Sequence, residues 1–333
     1  MLEVTTLGWA LTIGVVVLFF AIDLIAAEVR PHQVGFKEAV IASIAYTLLA
    51  VAFGFVFWWQ AGSTYGTEYF AGYIVERSLS IDNLFVFAII IATFAVPTEH
   101  QNTALTFGII AALILRVIFI IAGVALINAF SFMFLLFGLL LLWTAIQLYR
   151  HRDEDPEIED NGLVKIARRW FPVSETYDGG KLFTKIDGKR AITPMLLVLL
   201  AIGGTDLLFA LDSIPAVFGV TQEGYIVFVA NAFALLGLRP LFFLVKGLLD
   251  RLVYLSTGLA VILGFIAIKL ILVWAHETWD DVPKISTGLS LAVIVGVLAV
   301  ATIASIIKTR RDPSARAHAG AISLRDHRRD EAR

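Results

Sequence analysis

The sequence has no cysteine, and that absence removes disulfides, thiolate metal sites and thiol nucleophiles. Methionine is scarce, with only Met1, Met133 and Met195, so no thioether copper path exists. The six histidines (His32, His100, His151, His276, His318, His327) all fall at the ends of apolar segments or between them. Charge is sparse too: 16% of residues are charged and the net charge is −2. No basic field is available to hold phosphate, so nucleic acid is excluded as a partner. What fills the chain is apolar. Of its 333 residues 59% are hydrophobic, and the mean hydropathy is +0.83. Soluble domains run at roughly 45–50% apolar and about 25% charged, so this composition belongs to a lipid-embedded chain.

A helix needs about 20 apolar residues to cross a bilayer. Nine segments qualify: Leu7–Ala27, Ala39–Trp59, Glu68–Val96, Asn102–Phe130, Ser131–Arg150, Ala191–Val220, Tyr225–Val245, Leu252–Ala275 and Ser286–Ile307. Glu3, and no basic residue, precedes the first run, which is therefore not read as a secretory signal. With the N-terminus outside, 21 of the 26 Lys and Arg fall in cytoplasmic loops and Lys284 alone falls outside. The other four, Arg77, Arg116, Arg239 and Lys269, lie within spans. This asymmetry predicts nine crossings, N-out and C-in. The longest loop, 151–190, opens on DEDPEIED, a solvated linker or a cation-gathering segment, and continues into LVKIARRWF. That stretch alternates basic and apolar residues, as a helix lying at the headgroups does. The tail 308–333 is charged and reads as disordered.

Nine ionisable residues sit inside the spans: Asp23, Glu76, Arg77, Asp82, Arg116, Asp206, Asp212, Arg239 and Lys269. Left on lipid they would cost roughly 20–30 kcal/mol, more than a typical folding stability. They must face the interior, pair or be protonated. Five carboxylates against four cations leave pairing incomplete, and unpaired acids at this depth mark an ion or proton path.

A repeat organises these charges. VERSLSIDNLFVF (75–87) aligns with TDLLFALDSIPAV (205–217), placing Glu76 on Asp206 and Asp82 on Asp212, each Asp followed by a small polar residue, Asn83 or Ser213. The next helices carry Arg116 and Arg239 in similar settings, and the helices after them match Gln147 to Lys269. Segments three to five thus repeat as six to eight (68–150 and 191–275), between a two-helix segment over 1–60 and a final helix over 286–307. The halves enter from opposite sides, as in many secondary transporters with a midplane site. Residues six apart on a helix differ by about 240°, so Glu76 shares a face with Asn83 and not with Asp82. If both acids of each pair line one cavity, the helix is broken near them, where Ser78, Ser80, Gly203, Gly204 and Pro215 stand.

Glu76, Asp82, Asp206 and Asp212, with Asn83 and Ser213, form an oxygen-only donor set suited to Mn²⁺, Ca²⁺ or Mg²⁺. Arg116, Arg239 and Lys269 are read as charge-balancing groups, and Arg77 is assigned no role. Asp23 lies near the cytoplasmic end of the first span, where it is either solvated at the interface or buried. The predicted fold is an all-α integral membrane protein of about nine helices, with an inverted three-helix repeat and broken helices at the midplane. The predicted activity is cation transport rather than enzymatic catalysis, with no tightly bound cofactor. An intramembrane aspartyl protease is disfavoured because no Gly precedes either Asp.

The motifs ERSLSIDNLFVF and TDLLFALDSIPAVFGVT, with NAFALLGLRPLFFL and LSLAVIVGVLAVATIAS, resemble the TerC/Alx family of integral membrane proteins, named for tellurium resistance. The resemblance runs from the first helix to the ninth. It implies a bacterial plasma-membrane protein of seven to nine helices akin to LysE-type exporters, with manganese efflux or tellurite resistance as its activity. The family's intramembrane acids match Glu76, Asp82, Asp206 and Asp212. The transported ion is then Mn²⁺, exchanged for protons. The alternative is a non-transporting membrane scaffold for a stress-resistance complex, engaging a cytosolic partner through loop 151–190 or the tail. Topology is the first thing to measure: alkaline phosphatase fused after Arg333 is expected to be inactive, and a cytoplasmic reporter at the same point active.

Overall fold

The structure is a computed structural model. It describes residues 2, 4–29, 35–150, 162–174, 176–186, 189–248, 253–279 and 282–312. Side chains are described at all of these except 24, 26–29, 82, 85, 98, 162, 189, 208, 211, 212, 245–248 and 277. The acidic stretch 151–161 and most of the tail lie outside the described residues.

Eleven helices and one hairpin follow in order: α1 (Thr6–Val29), α2 (Phe36–Ala61), α3 (Ser63–Thr93), α4 (Thr98–Ala129), α5 (Met133–Arg150), α6 (Gly162–Trp170), β1 (Phe183–Ile186), β2 (Lys189–Ile192), α7 (Pro194–Phe218), α8 (Gly224–Leu235), α9 (Leu238–Leu248), α10 (Leu255–Thr278) and α11 (Thr287–Arg311). Six of these, α1, α2, α4, α5, α10 and α11, are long and apolar enough to cross a membrane. Counting α8 and α9 as one span bent by 45° makes seven. The nine predicted crossings are therefore not all present as apolar helices among the described residues. α3 is not among them although it has 31 residues, because Glu68, Glu76, Arg77 and Asp82 interrupt its apolar sequence. α7 offers an apolar stretch over Pro194–Leu207.

Burial divides the helices by role. α1, α2 and α11 expose large apolar side chains, among them Trp59 at 86% and Leu7 and Val300 at 68%. A soluble chain would bury such surface, whereas acyl chains cover it at no cost. The inward faces of α3, α7 and α10 supply much of one core cluster, and Phe57, Tyr69, Tyr73, Tyr225 and Phe233 lie in a second one between α2, α3 and α8. α5 lies along α10, α4 against α7, α3 against α8, and α3 meets α7 directly. This pairing is unchanged when α3, α4 and α5 exchange places with α7, α8 and α10. α5 and α10 approach closely at Gly138, where an added Cβ would stand 3.0 Å from the Ala267 carbonyl oxygen and 3.3 Å from the Ile271 nitrogen. Small residues at such crossings let backbones touch, which is how membrane helices gain packing energy.

The helix breaks are not where the spacing of the acids predicts. α3 and α7 run unbroken through Glu76–Asp82 and Asp206–Asp212. Ser78 and Thr205 bond back to carbonyls of their own helices, Ile74 at 2.6 Å and Ile202 at 2.9 Å, and leave the ladder intact. The break falls instead between α8 and α9. Leu236 leaves the helical region for a turn (ψ 127), and Gly237 takes φ +78, a region that L side chains avoid. A Cβ at Gly237 would also press on Tyr46 at 2.8 Å. Arg77 donates to the Ala234 and Leu236 carbonyls at 2.7 and 3.2 Å, satisfying acceptors that the end of α8 leaves open.

The loop between α5 and α7 contains the predicted α6 and a hairpin the sequence did not suggest. β1 and β2 pair antiparallel, Phe183 opposite Ile192. Consequently α7 begins at Pro194 rather than at Ala191, with Thr193 ahead of it in extended conformation. The Tyr177 hydroxyl, pushed up to about 12 by burial, donates to the Phe94 carbonyl at 2.7 Å and ties this loop to the end of α3. Asp178 is held below the usual carboxylate range by hydrogen bonds from Lys181 and Thr184.

Gly138→Val forces a branched side chain onto the α10 backbone. It is expected to lower stability by about 1–3 kcal/mol, read as a lower Tm of the purified protein in detergent.

Candidate functional site

At the centre of the bundle is one guanidinium. Arg116, on α4, is 1% exposed. Its Nη1 forms an ion pair with Glu76 of α3, which is fully buried, and its Nη2 stands 3.8 Å from Asp206 Oδ1 of α7, 2% exposed. Nη1 also donates to Asn231 Oδ1 of α8 at 3.1 Å, and Asn231 Nδ2 donates to Glu76 Oε2 at 3.0 Å. Ser80 Oγ donates to Glu76 Oε1 at 3.3 Å. With its amide turned so that both ends find partners, Asn83 accepts from Arg116 Nη2 at 3.2 Å and donates to the Leu79 carbonyl at 3.0 Å. Four helices thus meet on one cation.

The local reason is helical spacing. Glu76, Ser80 and Asn83 stand at i, i+4 and i+7, one stripe of α3. Asp206 and Ser213 have the same i, i+7 relation on α7, and both are buried. The face shared by Glu76 and Asn83, read from the sequence, is the one that meets Arg116. No unwinding is needed, because the acids that converge come from two helices rather than from one.

The electrostatics leave a remainder. Two carboxylates and one guanidinium carry a net −1 when all are ionised. At 3.8 Å, attraction between unit charges is about 4 kcal/mol at an effective dielectric of 20, while each buried ion loses several kcal/mol of hydration. One cation cannot fully compensate two such acids. Among the described residues, Asp206 Oδ2 and Ser213 Oγ are buried without a hydrogen-bond partner, as is Arg116 Nε. Buried polar atoms nearly always have partners, so the open atoms of Asp206 and Arg116 mark a centre whose polar capacity exceeds its contacts among the described residues.

Other residues predicted for the site lie elsewhere. Arg239 donates to the Asp23 carbonyl at 2.8 Å and stands 3.9 Å from Asp23 Oδ1, which also accepts from the Tyr46 hydroxyl at 3.2 Å. It balances an acid of α1, not those of the repeat, because the turn at Gly237 redirects α9. Asp23 is therefore a half-buried partner of Arg239, its side chain 20% exposed. Lys269 is buried within electrostatic range of Glu68, whose Oε2 accepts from Thr221 at 2.6 Å. The side chains of Asp82 and Asp212 lie outside the described residues, although both positions fall within helices. Among the described residues no group of three or more His, Asp or Glu could hold a metal. Sequence reading missed Asn231, because an amide inside an apolar run carries no charge to count. It also left Arg77 without the role at the end of α8 that the structure gives it.

Residues 61–313 match the integral membrane protein TerC family. The chain belongs to the TerC family. It is 45% identical over 318 residues to the uncharacterized membrane protein Rv2723 of Mycobacterium tuberculosis, covering 91% of this chain and 80% of that one. It is 41% identical over 263 residues to the thylakoid membrane protein TERC of Arabidopsis thaliana, covering 79% and 67%. The Escherichia coli protein named "Putative membrane-bound redox modulator Alx" is 35% identical over 308 residues, covering 90% and 94%. No solved structure matches the chain. The family match contains the whole Arg116 centre, from Glu76 to Asn231.

If the two acids depend on Arg116, removing it strands them. Arg116→Met is expected to cost about 3–5 kcal/mol, and adding Glu76→Gln to recover part of that loss. Thermal unfolding of both variants in detergent measures the difference; equal Tm values for the single and double variants would contradict the coupling.

Proposed function

We propose that the protein carries a divalent cation, Mn²⁺, out of the cell in exchange for protons. One observation carries this reading: acids from α3 and α7 share the buried guanidinium of Arg116, two carboxylates to one cation. A site of that kind binds a proton or a cation to reach neutrality, and exchange between the two is proton antiport. Glu76, Asp82, Asn83, Asp206, Asp212 and Ser213 supply oxygen donors, which suit Mn²⁺, Ca²⁺ and Mg²⁺. Manganese is selected among them by the resemblance of the two acidic motifs to the TerC/Alx family. Arg116 neutralises the acids between cation-loaded states.

Two positive charges moved outward against an inside-negative potential cost about 4.6 kcal/mol per 100 mV, so export requires coupling. Protonation of two acids discharges the cation and resets the site. In this reading α3 and α7 also cross the bilayer, giving nine crossings with the N-terminus outside the plasma membrane. The unchanged pairing on exchange of α3–α5 with α7, α8 and α10 supports two oppositely inserted halves, which rock about the shared site. Thiol–disulfide chemistry, one sense of the redox name borne by the Escherichia coli relative, has no residue here to act through.

The test is flux in proteoliposomes with an imposed pH gradient and a panel of divalent cations. Wild type is expected to move Mn²⁺ only with the gradient. Glu76→Gln, Asp206→Asn, Asp82→Asn and Asp212→Asn are each expected to fall to the rate of protein-free vesicles. Transport at the wild-type rate by Glu76→Gln and Asp206→Asn would overturn the proposal.

A further inference from the structure

The cation site leaves α6 unused. On this nine-residue helix Val164 and Ala167 are buried, 2% and 7% exposed, within the core cluster that includes α7. At about 100° per residue, Leu163, Ile166 and Trp170 make a second apolar line about 60° wide. That line is exposed: Leu163 to 40%, Ile166 to 58% and Trp170 to 76%. Lys165, Arg168 and Arg169 lie on the remaining side, all three exposed. α6 therefore has one stripe for the protein, one apolar stripe facing outward and one basic face.

Its place in the bundle narrows what can cover the outward stripe. The loop that holds α6 is tied by Tyr177 to the carbonyl of Phe94, where α3 ends, and by Thr193 to the start of α7, with Thr193 Oγ1 donating to the Lys181 carbonyl at 2.7 Å. α6 thus belongs to a loop held at the end of α3 and the start of α7, beside the apolar helices of the bundle. A short helix in water is marginal unless something packs on it.

We infer that α6 is a docking surface for anionic phospholipid. Leu163, Ile166 and Trp170 enter the boundary between headgroups and acyl chains, and Lys165, Arg168 and Arg169 meet the phosphates. Charge complementarity selects an anionic leaflet, since each basic side chain near such a surface strengthens docking about fivefold. The helix is fastened to α7 through Val164 and Ala167, so docking also anchors the start of the helix that carries Asp206.

The sequence has no cysteine, so Ile166→Cys in the full chain supplies a single thiol for a fluorophore. The labelled protein is placed in nanodiscs of phosphatidylcholine alone or mixed with phosphatidylglycerol, and quenched by acrylamide, a neutral aqueous quencher. Protection is expected only in the anionic discs. Arg168→Gln with Arg169→Gln is expected to weaken docking about thirtyfold and abolish that protection without lowering Tm, since both side chains are exposed. Equal quenching in the two compositions overturns the proposal. So does protection produced in phosphatidylcholine discs by inorganic phosphate, which would make α6 a site for the free anion. Protection that depends on the acids of 153–160 and not on lipid charge overturns it as well, and assigns the basic face to the chain's own acidic segment.

Discussion

A guanidinium set between two carboxylates, away from water, has to be held from several sides, and that demand shapes the middle of this bundle. Arg116 is the point on which α3, α4, α7 and α8 converge, and each contributes a polar group to it. Hydrophobic packing alone would let these helices rotate or slide at little cost, because lipid is as apolar as their neighbours. A buried ion pair does not permit that freedom. Displacing α3 by one residue would carry Glu76 about 100° away from its partner and strand a charge in the core. The ion pair therefore sets register where burial cannot.

The same interaction treats its two acids differently. Among the described residues, Glu76 is compensated closely by Arg116 and Asn231, whereas Asp206 has one long contact to Arg116 and one oxygen with no partner. The two acids that align in the repeat are thus unequal in this conformation. Around this centre the break between α8 and α9 is braced from two directions, by Arg77 on the α8 carbonyls and by Arg239 on α1. Glu76 and Arg77 are consecutive residues, so one turn of α3 grips both the middle of α8, through Asn231, and its end.

How far the sequence reaches is clearest at particular residues. Glu76, Asp206 and Arg116 were legible because a charge inside an apolar run is costly and so points inward. The stripe through Asn83 followed from helical spacing. The placement of the helix break did not follow, because the reading sought it beside the acids. A signal was present: Gly237 and Pro240 stand three residues apart, one suited to a left-handed turn and the other tolerated in the first turn of a helix. The partner of Arg239 was not legible, since its match to Arg116 concerns neighbours in the chain and not in space.

Composition and the spacing of charges determined by themselves that this is a helical membrane protein and that Glu76 and Asp206 face inward. Both properties are local, because hydropathy is summed along a segment and a helix repeats every 3.6 residues. Only the tertiary structure decided that Glu76 and Asp206 meet on Arg116, that Asn231 completes the contact and that Arg239 turns away to Asp23. Ion pairs between helices depend on rotation, tilt and a 45° bend at one glycine, and those quantities are settled by packing among residues far apart in the chain.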